Sequence, residues 1–238
     1  MANHALLTAE DHGNLRVRSE RGAAYGDAVM SCVTVPDEFR RVQNLYPILF
    51  QRGRDREHFS AVALFGFEEG ENLFLEGTRW DAAYRPLAMD IQPFLIGAPA
   101  SGSDTKQVHV DLDSPRIAAG EGVSVFDEFG RPTPYLDAVA EQLGSLDIGY
   151  QRAGDFFAAL DRLDLFEPLT LEVTLEDGST NRLVGFHVLD EEKVRALDPT
   201  ALGELHRDGH LMPMFMAMAS LSNLGALIER KNRRLHRG

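Results

Sequence analysis

Cysteine is nearly absent from this chain: Cys32 is the only one in 238 residues. No disulfide can form within the chain, and the composition fits a reducing compartment. Cys32 lies in Val29-Met-Ser-Cys-Val33, an apolar setting in which a thiol packs as a small hydrophobe. Basic residues are also scarce, with 24 Lys and Arg against 37 Asp and Glu and a formal net charge of −13. A nucleic-acid binder needs a basic face to neutralise phosphates, so none is expected. One local basic cluster, Arg230-Lys231-Asn232-Arg233-Arg234, complements the end of a last helix. No apolar run approaches the roughly 18 residues that a membrane span requires. Met1–Glu20 has no apolar core and carries Asp and Glu, so no secretory signal is expected and the protein is read as cytoplasmic. Gly-x-Ser-x-Gly, the P-loop and the dinucleotide fingerprint are missing. The glycines of Gly97–Gly102 lack the Lys and helix start that a phosphate site uses.

What is present is concentrated between Tyr46 and Phe94. Two apolar runs, Tyr46-Pro-Ile-Leu-Phe50 and Phe59–Phe67, read as strands of a hairpin joined by the charged segment Arg52–His58. The only tryptophan, Trp80, follows, with Tyr84-Arg-Pro86 and Pro93-Phe94. A helical turn or two is expected within Thr78–Asp90, interrupted by Pro86. Before this stretch, Leu15–Arg18 alternates like an edge strand and Ala28–Val35 reads as a buried strand. After it, Ala98–Thr105 is a small, polar surface loop, and Gln107–Leu112 alternates as a half-buried strand.

From Pro134 the period changes. Thr133 caps a helix with Pro134 at its first position, and Leu136, Val139, Ala140 and Leu143 follow at helical spacing. Gly144, Gly149 and Gly154 leave open a bent helix or two helices, because each glycine costs about 1 kcal/mol relative to Ala. Leu169–Leu175 and Arg182–Leu189 flank Glu176-Asp-Gly-Ser179, a hairpin signal. Asp190 and Asp198-Pro199 start short helices, and a last helix spans 211–234. This order gives an α+β fold: a mostly antiparallel sheet with helices packed on it, and a C-terminal hairpin followed by helices. Residues 1–238 are read as a single domain with flexible ends at 1–12 and 235–238.

Several short motifs in one order resemble the SapC family. They are Tyr46-Pro-Ile-Leu-Phe50, Ala63-Leu-Phe-Gly66, Asn72-Leu-Phe74, Trp80 with Tyr84-Arg-Pro86, Pro93-Phe94, Phe126-Asp-Glu-Phe-Gly130, Gly185–Asp190, Gly209-His-Leu211 and Ser220-Leu-Ser-Asn223. The resemblance runs from about His12 to Leu227. It implies a bacterial protein of a family named for surface-layer gene clusters. Members are often encoded beside cupin-like oxygenases, flavin-dependent tryptophan halogenases and TonB-dependent receptors. No catalytic residues carry over. The family often has a basic residue shortly before Pro-Phe, whereas this chain reads Met89-Asp90-Ile91-Gln92-Pro93.

Three constellations bear on chemistry. His206-Arg-Asp-Gly-His210 has metal-like spacing, but Gly209 is expected to end the helix and separate the two rings. His109-Val-Asp111 puts His and Asp on one strand face, and His187 would complete a facial triad for a divalent metal. Trp80, Tyr84 and Arg85, at helical spacing, would present an indole, a phenol and a guanidinium together. Tyr46 is counted with them. No cofactor is expected beyond that metal set.

The reading that follows is a non-enzymatic binding or accessory protein in a bacterial uptake or halogenase/oxygenase-linked system. It would recognise a peptide, an aromatic small molecule or a partner enzyme. The competing reading is a metal-dependent oxygenase or hydrolase using the His-x-Asp pair. The apolar stripe Leu211, Met214, Phe215, Met218, Leu221 and Leu224 fits packing on the sheet, and it fits a homodimer contact as well.

Overall fold

The computed structural model describes residues 3–53, 58–97, 106–118 and 120–236. The expected loop at 98–105 lies outside these residues, as do 54–57 and the extreme termini. The chain divides into two compact units, and the fold is α+β with antiparallel sheets in both.

The first unit comprises Met1–Ala28, Leu75–Asp81 and Leu87–Ile148. Strands β1 (His4–Leu6), β8 (Phe94–Gly97) and β9 (Gln107–Asp111) form one sheet in the order β1-β9-β8. Within β9 the expected alternation is only partly seen: Val110 is fully buried and paired to Ala5 and Phe94, whereas Val108 and Leu112 are half-buried like His109 and Asp111. A second sheet joins β2 (Arg16–Val17), β10 (Ile117–Ala118) and β11 (Val123–Ser124). Its order is β10-β2-β11, so the segment expected at an edge is central and paired on both sides. The pair β6 (Leu75–Glu76) and β7 (Arg79–Trp80) and the short helices α1 (Ala9–His12) and α3 (Leu87–Asp90) complete the small elements. An ion pair is buried here: Arg116 Nη2 donates to Asp27 Oδ1 at 2.6 Å, with both side chains all but inaccessible.

Helix α4 (Pro134–Arg162) belongs to the first unit up to Ile148 and to the second from Gly149. Thr133 Oγ1 accepts from the Leu136 N–H at 3.4 Å, so the expected cap is in place. All three glycines lie inside one unbroken helix. A Cβ at Gly144 or Gly154 would meet nothing within 4 Å, whereas at Gly149 it would lie 2.5 Å from Cγ2 of Val35. Gly149 therefore permits the close approach of α4 to Val35. Gly144→Ala should stabilise the protein by up to about 1 kcal/mol by removing glycine's helix penalty. Gly149→Ala should destabilise it, because overpacking a stiff, buried valine costs about 1–3 kcal/mol. Urea midpoints moving the same way in both variants would contradict this packing.

The second unit comprises Val29–Phe74, Ala82–Pro86 and Gly149–Gly238. Five antiparallel strands, β3 (Ser31–Thr34), β4 (Ile48–Arg52), β5 (Phe59–Leu64), β12 (Phe166–Thr174) and β13 (Thr180–Leu189), take the order β12-β13-β4-β5-β3. The two expected hairpins are both present, with Phe50 opposite Ala61 in one and Leu169 opposite Phe186 in the other. In the second turn Gly178 takes φ +84°, which favours glycine. The segment read as a buried strand is the sheet edge instead, with Cys32 and Thr34 buried and Val33 39% exposed. An apolar run alone does not say how many neighbours a strand has. Its core holds edge-on ring pairs: Phe39 on Phe156, Phe50 on Phe157 and Phe166, and Tyr46 on Phe65 and Phe74.

Short helices α2 (Phe39–Val42), α5 (Glu191–Arg195) and α6 (Pro199–Arg207) accompany the sheet. Asp190 and Asp198 cap α5 and α6 through their side chains, as expected. The expected last helix is two, α7 (Leu211–Ser220) and α8 (Asn223–Leu235). At the junction the Ser222 hydroxyl donates to the Ala219 carbonyl, a local bond that competes with the helical ladder. Leu211–Leu235 is long and apolar enough, by length and composition, to cross a membrane, contrary to the sequence expectation. In this structure it packs within its unit: the Ile48 N–H donates to Ser220 Oγ at 2.8 Å, and Lys231 is buried against Glu71 and Glu68 at 2.6 and 3.1 Å.

Candidate functional site

Three segments of the second unit line a cavity of about 230 Å³ that is open to solvent on one side. Val33, Thr34 and Val35 come from β3 and its end, and His58, Phe59, Ser60 and Ala61 from the start of β5. Tyr150, Ala153, Gly154, Phe157, Ala158 and Asp161 come from one side of α4. The lining is mostly aliphatic and aromatic, with Val35, Phe59, Ala61, Ala153 and Phe157 all buried. Small residues at 153, 154 and 158 keep the helix from filling the space. Gly154 carries a helix penalty of about 1 kcal/mol although no neighbour requires a glycine there.

Polar groups stand around this apolar interior. Tyr150 is 46% exposed; partial burial of its hydroxyl, and then Cys32 and Glu38, push its pKa up to about 12, and at neutral pH it is a protonated donor and acceptor. Asp161 pairs with Arg52 at 3.1 Å, and the Arg52 guanidinium lies 4.5 Å from the centre of the Phe59 ring. Behind the wall, Thr34 Oγ1 donates to Glu38 Oε2 at 2.7 Å and the Tyr84 hydroxyl donates to Glu38 Oε1 at 2.6 Å. Glu38 is 2% exposed, and these bonds satisfy a carboxyl group that would otherwise be costly to bury. Burial, and secondarily Glu38, raises the Cys32 thiol well above its ordinary value, so it is held as the neutral, packed group that its setting suggested.

The expected aromatic and arginine group is arranged differently. Trp80 ends β7 opposite Leu75 and is buried in the first unit, while Tyr84 and Arg85 belong to the second. Residues 81–86 are not helical, so the three side chains do not share a helix face. Pro86 is the physical reason: it disfavours the helical conformation at Arg85, and α3 starts only after it. Tyr46 is fully buried and its hydroxyl donates to the Tyr84 carbonyl. Tyr46 and Tyr84 thus reach the cavity wall indirectly, through Glu38 and Thr34.

The histidines lie on different elements. His109 and Asp111 lie on β9 of the first unit, and His187 on β13 of the second. Among the described residues no group of three or more His, Cys, Asp and Glu is arranged to hold a metal ion. Gly209 takes φ +77° after α6, as expected of a helix end, and the His210 ring lies edge-on to Phe156. His187 opposes Phe50 in the ladder and meets the Phe59 ring edge-on. Burial and then the Arg52 charge lower its pKa below the ordinary value of 6.5. The unfolded chain therefore binds this proton more readily, so the contribution to stability is complete above pH 6.5 and is lost as pH falls through the folded pKa. His187→Phe should flatten the dependence of the urea midpoint on pH below 6.5, and an unchanged slope would contradict the assignment.

The sequence-level reading missed the cavity because its walls are three segments of unremarkable residues far apart in the chain. The one usable signal was a mid-helix Gly154 beside Ala153 and Ala158. Comparison with known families finds that the model described as SapC matches residues 7–227. No curated protein and no solved structure matches the chain.

Proposed function

The chain belongs to the SapC family, and on that premise we propose that it is a binding protein whose cavity receives an aromatic ring. The ring would come from a small molecule or from a side chain of a peptide or partner protein. The supporting observation is the cavity's size and lining. Apolar cavities of about 150 Å³ take up benzene. At about 230 Å³, this one has room for a bicyclic ring such as indole. It is smaller than the roughly 300–1,000 Å³ typical of pockets for drug-sized ligands, which favours one inserted group over a large cofactor. Tyr150 supplies a neutral hydroxyl for the polar edge of the ring, such as an indole N–H. A role beside tryptophan-modifying or uptake systems, as the family's genomic company implies, agrees with a ring-sized site.

Titration of the methyl-labelled protein with indole tests this. Methyl resonances of Val33, Val35, Ala153 and Ala158 should shift together and saturate, while the methyls of Val110 in the first unit stay in place. Shifts that are absent, or spread evenly over both units, would overturn the proposal.

A further inference from the structure

We propose that the ring is delivered by an extended peptide segment that pairs with β3 as an added strand; this rests on the cavity reading above. Among the described residues β3 pairs with β5 alone, at the end of the five-stranded order. The phase of its hydrogen bonds follows from two neighbouring bonds. The Phe65 N–H donates to the Met30 carbonyl at 2.7 Å, and the register places Cys32 opposite Ala63 and Thr34 opposite Ala61. Antiparallel ladders alternate bonded and non-bonded pairs, so Cys32 and Thr34 direct their backbone groups at β5. Ser31 and Val33 direct theirs outward. The other side of β5 agrees: Leu64 N–H donates to the Pro47 carbonyl at 2.9 Å, which leaves Ala63 and Ala61 to face β3.

The edge therefore offers donors and acceptors at alternate residues, a frame that an extended backbone matches in register. Val33 is 39% exposed and lines the cavity together with Thr34 and Val35. A strand laid about 4.8 Å from β3 would carry its side chains within reach of the cavity. The frame and the ring site thus meet at Val33, which directs its backbone outward and lines the cavity. With a formal net charge of −13, the chain disfavours acidic segments and selects a neutral or basic one.

The probe is the acetylated, amidated pentapeptide Lys-Thr-Trp-Thr-Lys, compared with free indole by calorimetry. The peptide should bind at least about tenfold more tightly than indole. Single N-methylation along the peptide should weaken binding at alternate amides and leave the intervening ones tolerant. Ser31→Pro removes an outward N–H at the first residue of the edge strand, where proline is tolerated. Ser31, the other outward-facing residue, does not line the cavity, so Ser31→Pro should cost the peptide about tenfold, the loss expected for roughly one backbone bond, and leave indole affinity unchanged. If indole binds but the peptide is no tighter, or N-methylation has no alternation, strand pairing is refuted and the cavity reading stands. If indole fails to bind while the peptide binds through the edge, ring insertion is refuted. Failure of both probes refutes both. The N-methyl series uses the unaltered protein, so a misfolded Ser31→Pro variant does not decide the outcome.

Discussion

Arg116→Ala should lower the free energy of unfolding by about 3–5 kcal/mol, the range for removing one partner of a buried ion pair. Arg116 is 1% exposed and Asp27 is fully buried. Besides its 2.6 Å bond to Asp27, Arg116 donates through Nη1 to the carbonyls of Glu20 at 2.9 Å and Arg18 at 3.3 Å. Asp27 also accepts the Gly22 N–H at 2.8 Å and lies 3.5 Å from Arg21. Removing Arg116 strands a buried carboxylate with weaker compensation and leaves two carbonyls short of a donor. Replacing both partners, Arg116→Met with Asp27→Leu, should recover much of the loss, because no buried charge is then left alone. Urea denaturation measures both. A single-variant loss below about 1 kcal/mol, the level of an exposed pair, would show that the pair is not buried in solution.

Gly154→Leu should abolish indole binding, by at least about a hundredfold, while leaving the protein as stable as before or more so. The two halves of this expectation come from different physics. Replacing a mid-helix glycine with leucine favours the helix by about 0.8–1 kcal/mol. A Cβ at this position meets nothing within 4 Å, so the backbone and first side-chain atom are accommodated without a clash. The added isobutyl group occupies the space that the ring would take. Most site mutations lose binding and stability together, and the result is then ambiguous. Here the signs are opposite. A variant that is more stable and still binds indole would place the ring elsewhere, and a variant that unfolds would show the space to be filled already.

Local chemistry made much of the fold legible. Thr133-Pro134, Asp190, Asp198-Pro199, Asp177-Gly178 and Gly209 each mark a boundary that the structure keeps, because a cap or a positive φ is decided by one or two residues. The α+β class followed from the order of the periods. What the sequence did not show depends on tertiary neighbours. Cys32–Thr34 reads as apolar whether a strand is central or at an edge, and Arg16–Val17 reads the same with one neighbour or two. Trp80 looked like a recognition residue because of its chemistry, yet it is placed in a core by its pairing with Leu75. The site is the extreme case. Its interior is mostly valines, alanines, a glycine and two phenylalanines, its polar residues come from three distant segments, and the feature that matters is the space between them.

The most direct test of ring binding is a crystal of the protein soaked with 4-iodophenol, with the iodine located by its anomalous scattering. The account predicts one dominant iodine site lined by Val35, Phe59, Ala153, Gly154 and Phe157, with the phenol oxygen toward Tyr150 or the polar rim, and no such site in Gly154→Leu crystals. An empty cavity at saturating ligand, or iodine bound only at positions outside it, would contradict the account.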